Sequence, residues 1–250
     1  MKTLLPLLII GSLMGAVFAQ SPPAEKRLAL IIGNGTYTQH TPLPKALNDA
    51  DDMVAILTRL GFEVLLHKNL NKEAMQKAVS EFTSKLAGYP VGLVYYAGHG
   101  IEVNGLHFMA PIDAGPTNAA DVEQMCLMTN QLINGLKSAK AKTNIIILDT
   151  DRTNPFERSF TRTATNPLND LDTPIGFVVA YATSPGRAAL EGTGRNGLYT
   201  GALLKAMTVP NQTLIQMFRA VRADVIQQSN NRQIPWELTS LTGDFYFSRK

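Results

Sequence analysis

Four stretches of the chain are apolar almost without a break: Leu28 to Ile32, Val91 to Ala97, Asn144 to Leu148 apart from its first residue, and Phe177 to Ala182. A strand that leaves one face in water alternates apolar with polar residues; a run with no alternation must be covered on both faces. Such strands belong to a parallel sheet sandwiched between helices. Phe62 to Leu66 reads as a further strand, and Gly243 to Phe247 as a short last one.

Segments of helical period lie between these runs. Leu47, Ala50, Met53, Val54, Leu57 and Leu60 recur at three- and four-residue steps, with Asn48, Asp49, Asp51 and Asp52 expected in the first turn and Gly61 at the end. Asn71 can cap a second helix whose buried stripe is Met75, Ala78, Val79, Phe82 and Leu86. Further helices are expected over Thr129 to Ala139, Leu198 to Met207 and Thr213 to Gln228. Asn104-Gly105 marks a hairpin between Ile101–Val103 and Leu106–Met109. Arg152 to Pro174 has no period and reads as a long loop. The expected class is α/β, a mostly parallel six-stranded sheet with helices on both faces.

The other polar features narrow the function. Twenty-three Lys and Arg against 20 Asp and Glu leave a net charge of +3, with the basic residues scattered, so the electrostatic footprint of a nucleic-acid binder is missing. A single cysteine, Cys126, excludes an intrachain disulfide framework and a cysteine-based zinc site. Its apolar neighbours Met125, Leu127 and Met128 suggest a buried, inert thiol, although a lone thiol could also pair between molecules. Gly33-Asn34-Gly35 lacks the register and the Lys-Ser/Thr ending of a phosphate loop.

Residues 1–19 read as a signal peptide: Lys2 precedes an apolar stretch from Leu4 to Phe18, and Val17-Phe18-Ala19 offers a cleavage site. Export is expected, to the periplasm or the medium, with a linker over residues 20–26 and one domain over 27–250. No later segment is apolar enough to span a bilayer.

In open parallel sheets the chemistry gathers at the carboxyl ends of the strands. His99 follows one strand, and Asp149 and Asp151 follow another, so adjacent strands would bring the three into one crevice. His40, His67 and His107 have no such context and read as surface or strand residues. An ion pair between His99 and Asp151 is expected.

Taken together, Lys26 to Asn34, Leu47-Asn48-Asp49-Ala50, Tyr95-Tyr96-Ala97-Gly98-His99-Gly100, Ile147 to Phe156, Pro235-Trp236-Glu237 and Leu241 to Phe245 resemble the bacterial caspase-like peptidases, the orthocaspase and metacaspase branch. The resemblance covers roughly residues 26 to 247. It implies the caspase-hemoglobinase fold, a three-layer sandwich, and a Cys-His dyad cutting peptide bonds after Arg or Lys without a cofactor or a metal. His99 corresponds to the dyad histidine, Gly100 to a donor of the oxyanion hole, and Asp49 and Asp149 to the acidic residues of the first specificity pocket. The position of the catalytic cysteine is occupied by Asp151.

An ionised carboxylate is a poor nucleophile toward an amide, and it sets a negative charge where the oxyanion must form. The expectation is therefore a domain without thiol-peptidase activity that binds peptides or proteins with exposed Arg or Lys, or that regulates an active relative. Its long loop, carrying Arg152, Arg158 and Arg162, is expected to escape self-cleavage. Three alternatives stand beside it: an active endopeptidase after basic residues, a metal-dependent hydrolase built on Asp49, Asp149, Asp151 and His99, and a vestigial crevice.

Overall fold

The computed structural model describes residues 25–151 and 174–249. The proposed signal peptide and nearly all of the Arg152–Pro174 loop lie outside them. Six strands form the central sheet: β1 (Arg27–Gly33), β2 (Phe62–Lys68), β3 (Val91–Ala97), β7 (Thr143–Asp149), β8 (Phe177–Tyr181) and β9 (Trp236–Thr239), in the order β2-β1-β3-β7-β8-β9. The first five in that order run parallel, and β9 closes the edge antiparallel to β8.

The unbroken apolar runs divide their side chains between two cores. Ala29 and Ile31 of β1, Leu93 and Tyr95 of β3, Ile145 and Ile147 of β7 and Val178 and Ala180 of β8 face one layer. It contains α1 (Pro44–Arg59), α5 (Leu198–Ala206) and α6 (Leu214–Gln228). Leu28, Leu30, Val94, Tyr96, Ile146, Leu148, Val179 and Tyr181 face the other, formed by α2 (Lys72–Leu86) and α4 (Thr129–Ala139). This is the side-chain period of two acting on a strand apolar at every position. Each fully buried aliphatic side chain contributes roughly 1.5–3 kcal/mol relative to exposure.

Local signals set several boundaries. Asn71 accepts the N–H of Ala74 and starts α2, and Thr213 with Gln216 makes a reciprocal capping box for α6. Helix α1 begins at Pro44, three residues before the expected start, because proline suits a first turn whose N–H groups lack helical partners. The acidic cluster therefore lies beyond the first turn and does not complement the helix dipole.

Gly33 lets α1 lie close on β1: a Cβ there would fall 2.7 Å from Ala50 Cβ. The neighbouring Asn34 is fully buried; its Oδ1 accepts the N–H of Leu70 and its Nδ2 donates to the carbonyl of Ala110.

A second, antiparallel sheet stands beside the main one. It comprises β4 (Gly100–Val103), β5 (Leu106–Met109) and β6 (Leu127–Met128), with Asn104 and Gly105 both at positive φ in the hairpin turn. Between β5 and β6 lies α3 (Ala119–Met125), capped by Asn118 and not foreseen from the sequence.

The expected final strand is corrected. Phe245 and Phe247 are buried in the α1 layer, while the guanidinium of Arg27 takes the carbonyls of Tyr246 and Phe247. Pairing in this segment is limited to an isolated antiparallel bridge between Tyr246 and Thr213, and the sixth strand is Trp236–Thr239 instead. Among the described residues no helix is long and apolar enough to cross a membrane.

Candidate active site

Register places the site. Gly33, Ala97 and Asp149 are level across β1, β3 and β7, so the segments that follow β3 and β7 leave the sheet side by side. The Gly98 N–H donates to the Asp149 carbonyl at 3.3 Å, bringing His99 beside residues 149–151.

His99 is fixed by the loop after β1. Its backbone N–H donates to the Tyr37 hydroxyl at 2.8 Å, and its ring lies edge-on to Tyr37 with centroids 4.5 Å apart. Nε2 lies 2.8 Å from the Thr41 carbonyl oxygen. A carbonyl only accepts, so Nε2 carries a proton and, in the neutral ring, Nδ1 is the basic nitrogen. Thr41 was not foreseen, because its contribution is a backbone atom.

Asp151 has its own backbone partner: Oδ1 accepts the Ala189 N–H at 2.7 Å. Burial raises its pKa, while the Ala189 bond and the charge of His99 oppose the shift. The expected His99–Asp151 ion pair does not form among the described residues; the imidazole is engaged by Thr41 and the carboxylate by Ala189. The residue between the two aspartates is pinned from below. Thr150 Oγ1 lies 2.9 Å from His107 Nε2, and His107 Nδ1 lies 2.9 Å from Thr129 Oγ1. His107 is thus a buried strand residue that holds the turn. Gly100 lies against this turn: a Cβ there would be 2.5 Å from the Asp151 carbonyl oxygen and 2.5 Å from Thr150 Oγ1.

Asp49 reaches the same crevice from α1. It is 3 % exposed and accepts the Gly197 N–H at 3.1 Å, through Oδ1. Asp149 Oδ2 accepts from the Thr200 hydroxyl at 2.6 Å, and Thr200 Oγ1 lies 2.6 Å from the Tyr95 hydroxyl. Burial raises the pKa of both carboxyl groups. The charge of Asp149 adds to the shift at Asp49, and that of Glu191 to the shift at Asp149.

The two acids border a cavity of about 110 Å3 lined also by Asp151, Ala189, Glu191 and Gly197. Its outer wall is the segment between β8 and α5, tied to the polar face of α1. Lys45 Nζ donates to the carbonyls of Glu191 and Gly192, and Asn48 Nδ2 to that of Arg195; Asp52 accepts from Arg195 and Asn196.

His99, Gly100, Asp49, Asp149 and Asp151 are therefore brought to one end of the sheet. A metal-holding group of three or more His, Cys, Asp or Glu is absent among the described residues, and the carboxylates engage N–H and O–H donors instead. Cys126 is elsewhere, 2 % exposed at the end of α3 in the small core under β4 and β5. Burial pushes its thiol up to about 12, so it offers neither a nucleophile nor an intermolecular partner in the folded domain.

The caspase domain family model (peptidase C14) matches residues 26–246. The chain belongs to the caspase family. Among its relatives, human mucosa-associated lymphoid tissue lymphoma translocation protein 1 is 32% identical over 187 residues, covering 74% of this chain and 21% of the human protein. A paracaspase of Dictyostelium discoideum is 24% identical over 199 residues, covering 74% of this chain and 45% of its own. This caspase chain thus spans about a fifth of the length of the mammalian relative and under half of the amoebal one.

The crystal structure of caspase-1 from Spodoptera frugiperda superimposes with a TM-score of 0.69 at 16% identity, over 90% of this chain and 91% of the other. That likeness confirms the caspase fold expected from the sequence. The caspase fold accounts for the convergence of strand ends β1, β3 and β7 on one crevice.

Proposed function

We propose that this caspase-family domain recognises Arg- or Lys-bearing peptides or partner proteins and performs no thiol-dependent cleavage. The observation that carries the reading is the convergence of Asp49 and Asp149 on the 110 Å3 cavity, with a third carboxylate, Asp151, on its rim. Buried carboxylates are costly unless a cation compensates them, and a guanidinium or ammonium group entering here would meet two acids at once. Asp151 occupies the position that resemblance assigns to the family's cysteine. An ionised carboxylate there opposes the oxyanion that peptide cleavage must stabilise.

The domain acts after export, released from a leader at residues 1–19, and its partners are exposed basic side chains, including those of an active relative's substrates. Calorimetry with blocked peptides ending in argininamide, lysinamide or norleucinamide tests the reading. The first two bind and the third does not; equal affinity for norleucinamide would refute a role for the acidic pair.

A further inference from the structure

The wall of the cavity between β8 and α5 is held in two parts by different donors and acceptors. Residues 191–197 are tied to α1 through Lys45, Asn48, Asp49 and Asp52. No bond from α1 reaches Ala189 or Leu190 among those described. The Leu190 N–H donates to Gln233 Oε1 at 2.8 Å, and Gln233 is itself fully buried and anchored through Nε2 to the Ala182 carbonyl. The Ala189 N–H donates to Asp151 Oδ1 at 2.7 Å.

The residue at the supposed nucleophile position is thus one of two side chains that hold this half of the wall. We propose that Asp151 is a positioning residue: its carboxylate latches the Ala189 N–H and keeps the cavity wall in its ligand-accepting arrangement before a basic side chain arrives. The inference rests on the reading of the cavity as a basic-residue pocket.

Three properties support the latch. The N–H···O distance is short, in the range of charge-assisted bonds, which are roughly twice as strong as neutral ones. The interaction joins residues 38 positions apart, so it constrains tertiary rather than local geometry. A cysteine could not replace it: Sγ ends one bond sooner than Oδ1 and is a weak acceptor. One side chain at this position cannot do both: a thiol would attack, whereas the carboxylate preorganises. A wall already in place removes the population factor that a binding site otherwise loses to its non-competent states.

The test uses the full chain and its Asp151→Asn, Asp151→Ala and Asp151→Cys variants, with acetyl-leucyl-argininamide as the probe in calorimetry and amide hydrogen exchange at Ala189 as the second readout. Asn keeps the acceptor oxygen without the charge. The latch predicts a graded loss of binding: a few-fold for Asp151→Asn, whose acceptor is neutral, and at least about tenfold for Asp151→Ala and Asp151→Cys, which have no acceptor in reach. Exchange at Ala189 is expected to be faster by about tenfold or more in the last two only. Wild-type affinity together with unchanged Ala189 protection in the Ala and Cys variants would overturn the latch while leaving the pocket intact. Absence of binding by the wild type would overturn the pocket reading instead, and Ala189 exchange would still decide whether Asp151 holds the wall. Weaker binding in Asp151→Asn equal to that in Asp151→Ala would assign the effect to charge rather than to the bond, and so contradict the latch as well.

Discussion

Asp49 and Asp149 meet across Gly197: a Cβ on that glycine would lie 3.1 Å from Asp49 Oδ2 and 3.5 Å from Asp149 Oδ2. The glycine caps α5 with φ of −57° and ψ of 154°, a conformation open to alanine, so its small size serves the space between the acids rather than the backbone. Gly197→Ala is expected to leave the fold intact and to weaken binding of an argininamide peptide by about tenfold or more, a loss of ~1.4 kcal/mol. Titration calorimetry on the two proteins measures it; unchanged affinity would place the ligand elsewhere.

Binding of a basic side chain should depend on pH. Burial, with the neighbouring charge, raises Asp49 to about 8, and burial raises Asp149 to about 6; the two values describe the pair as a unit. A bound cation favours the ionised forms, so affinity rises as pH climbs from 6 to 8 and levels off above. Binding near pH 7 therefore releases protons. Calorimetry in buffers of different ionisation enthalpy detects the release, and a flat pH profile with no proton release would contradict a buried acid pair.

The same shifts carry a cost in stability. Both folded values lie above the unfolded value of 3.8, so between about pH 4 and pH 8 the folded state binds more protons than the unfolded one, and stability falls as pH rises through that window. Asp49→Asn removes one charge while keeping an acceptor for the Gly197 N–H. The variant should be more stable than wild type by about 1–2 kcal/mol at pH 8, with the difference vanishing near pH 4. Thermal denaturation at the two pH values checks this. A variant destabilised at pH 8 would show that Asp49 is held by partners stronger than its desolvation.

The strands that build the crevice were legible because a run such as Ile145-Ile146-Ile147-Leu148 has only one way to be covered, and the order of motifs along the chain pointed to the fold. His99 and Asp149 were legible from their positions after strands, and Asp49 only through the resemblance, since its helix position by itself suggests no more than dipole complementarity. Trp236–Thr239 was not: four residues after a proline, with both end residues exposed, carry little periodic signal. Phe245 and Phe247 alternate like a strand, yet the alternation buries them against helices. Asn118 before Ala119 is a readable cap for α3, but the seven residues that follow it are too few to show a clear apolar stripe. Gly197, the Ala189 N–H and the Thr41 carbonyl were beyond reach, since backbone groups brought in by long-range folding leave no mark in residue type.

Cys126 should be silent toward reagents. At 2 % exposure, with the thiol pushed up to about 12 by burial, it presents almost no thiolate at pH 8. Iodoacetamide should label the folded domain at least a hundredfold more slowly than the denatured one, as read by intact mass. Rapid labelling of the folded domain would mean that the small core under β4 and β5 opens readily.

A carboxylate at position 151 should abolish thiol chemistry and leave the proposed basic-residue pocket intact. Hydrolysis of arginyl and lysyl reporter amides by the full chain and by Asp151→Cys, each with and without a thiol alkylating agent, measures both at once. The unaltered protein should show no turnover, and Asp151→Cys should show alkylation-sensitive turnover with a raised KM, because the Ala189 latch is lost. Hydrolysis by the unaltered protein that the alkylating agent abolishes would contradict the loss of thiol chemistry.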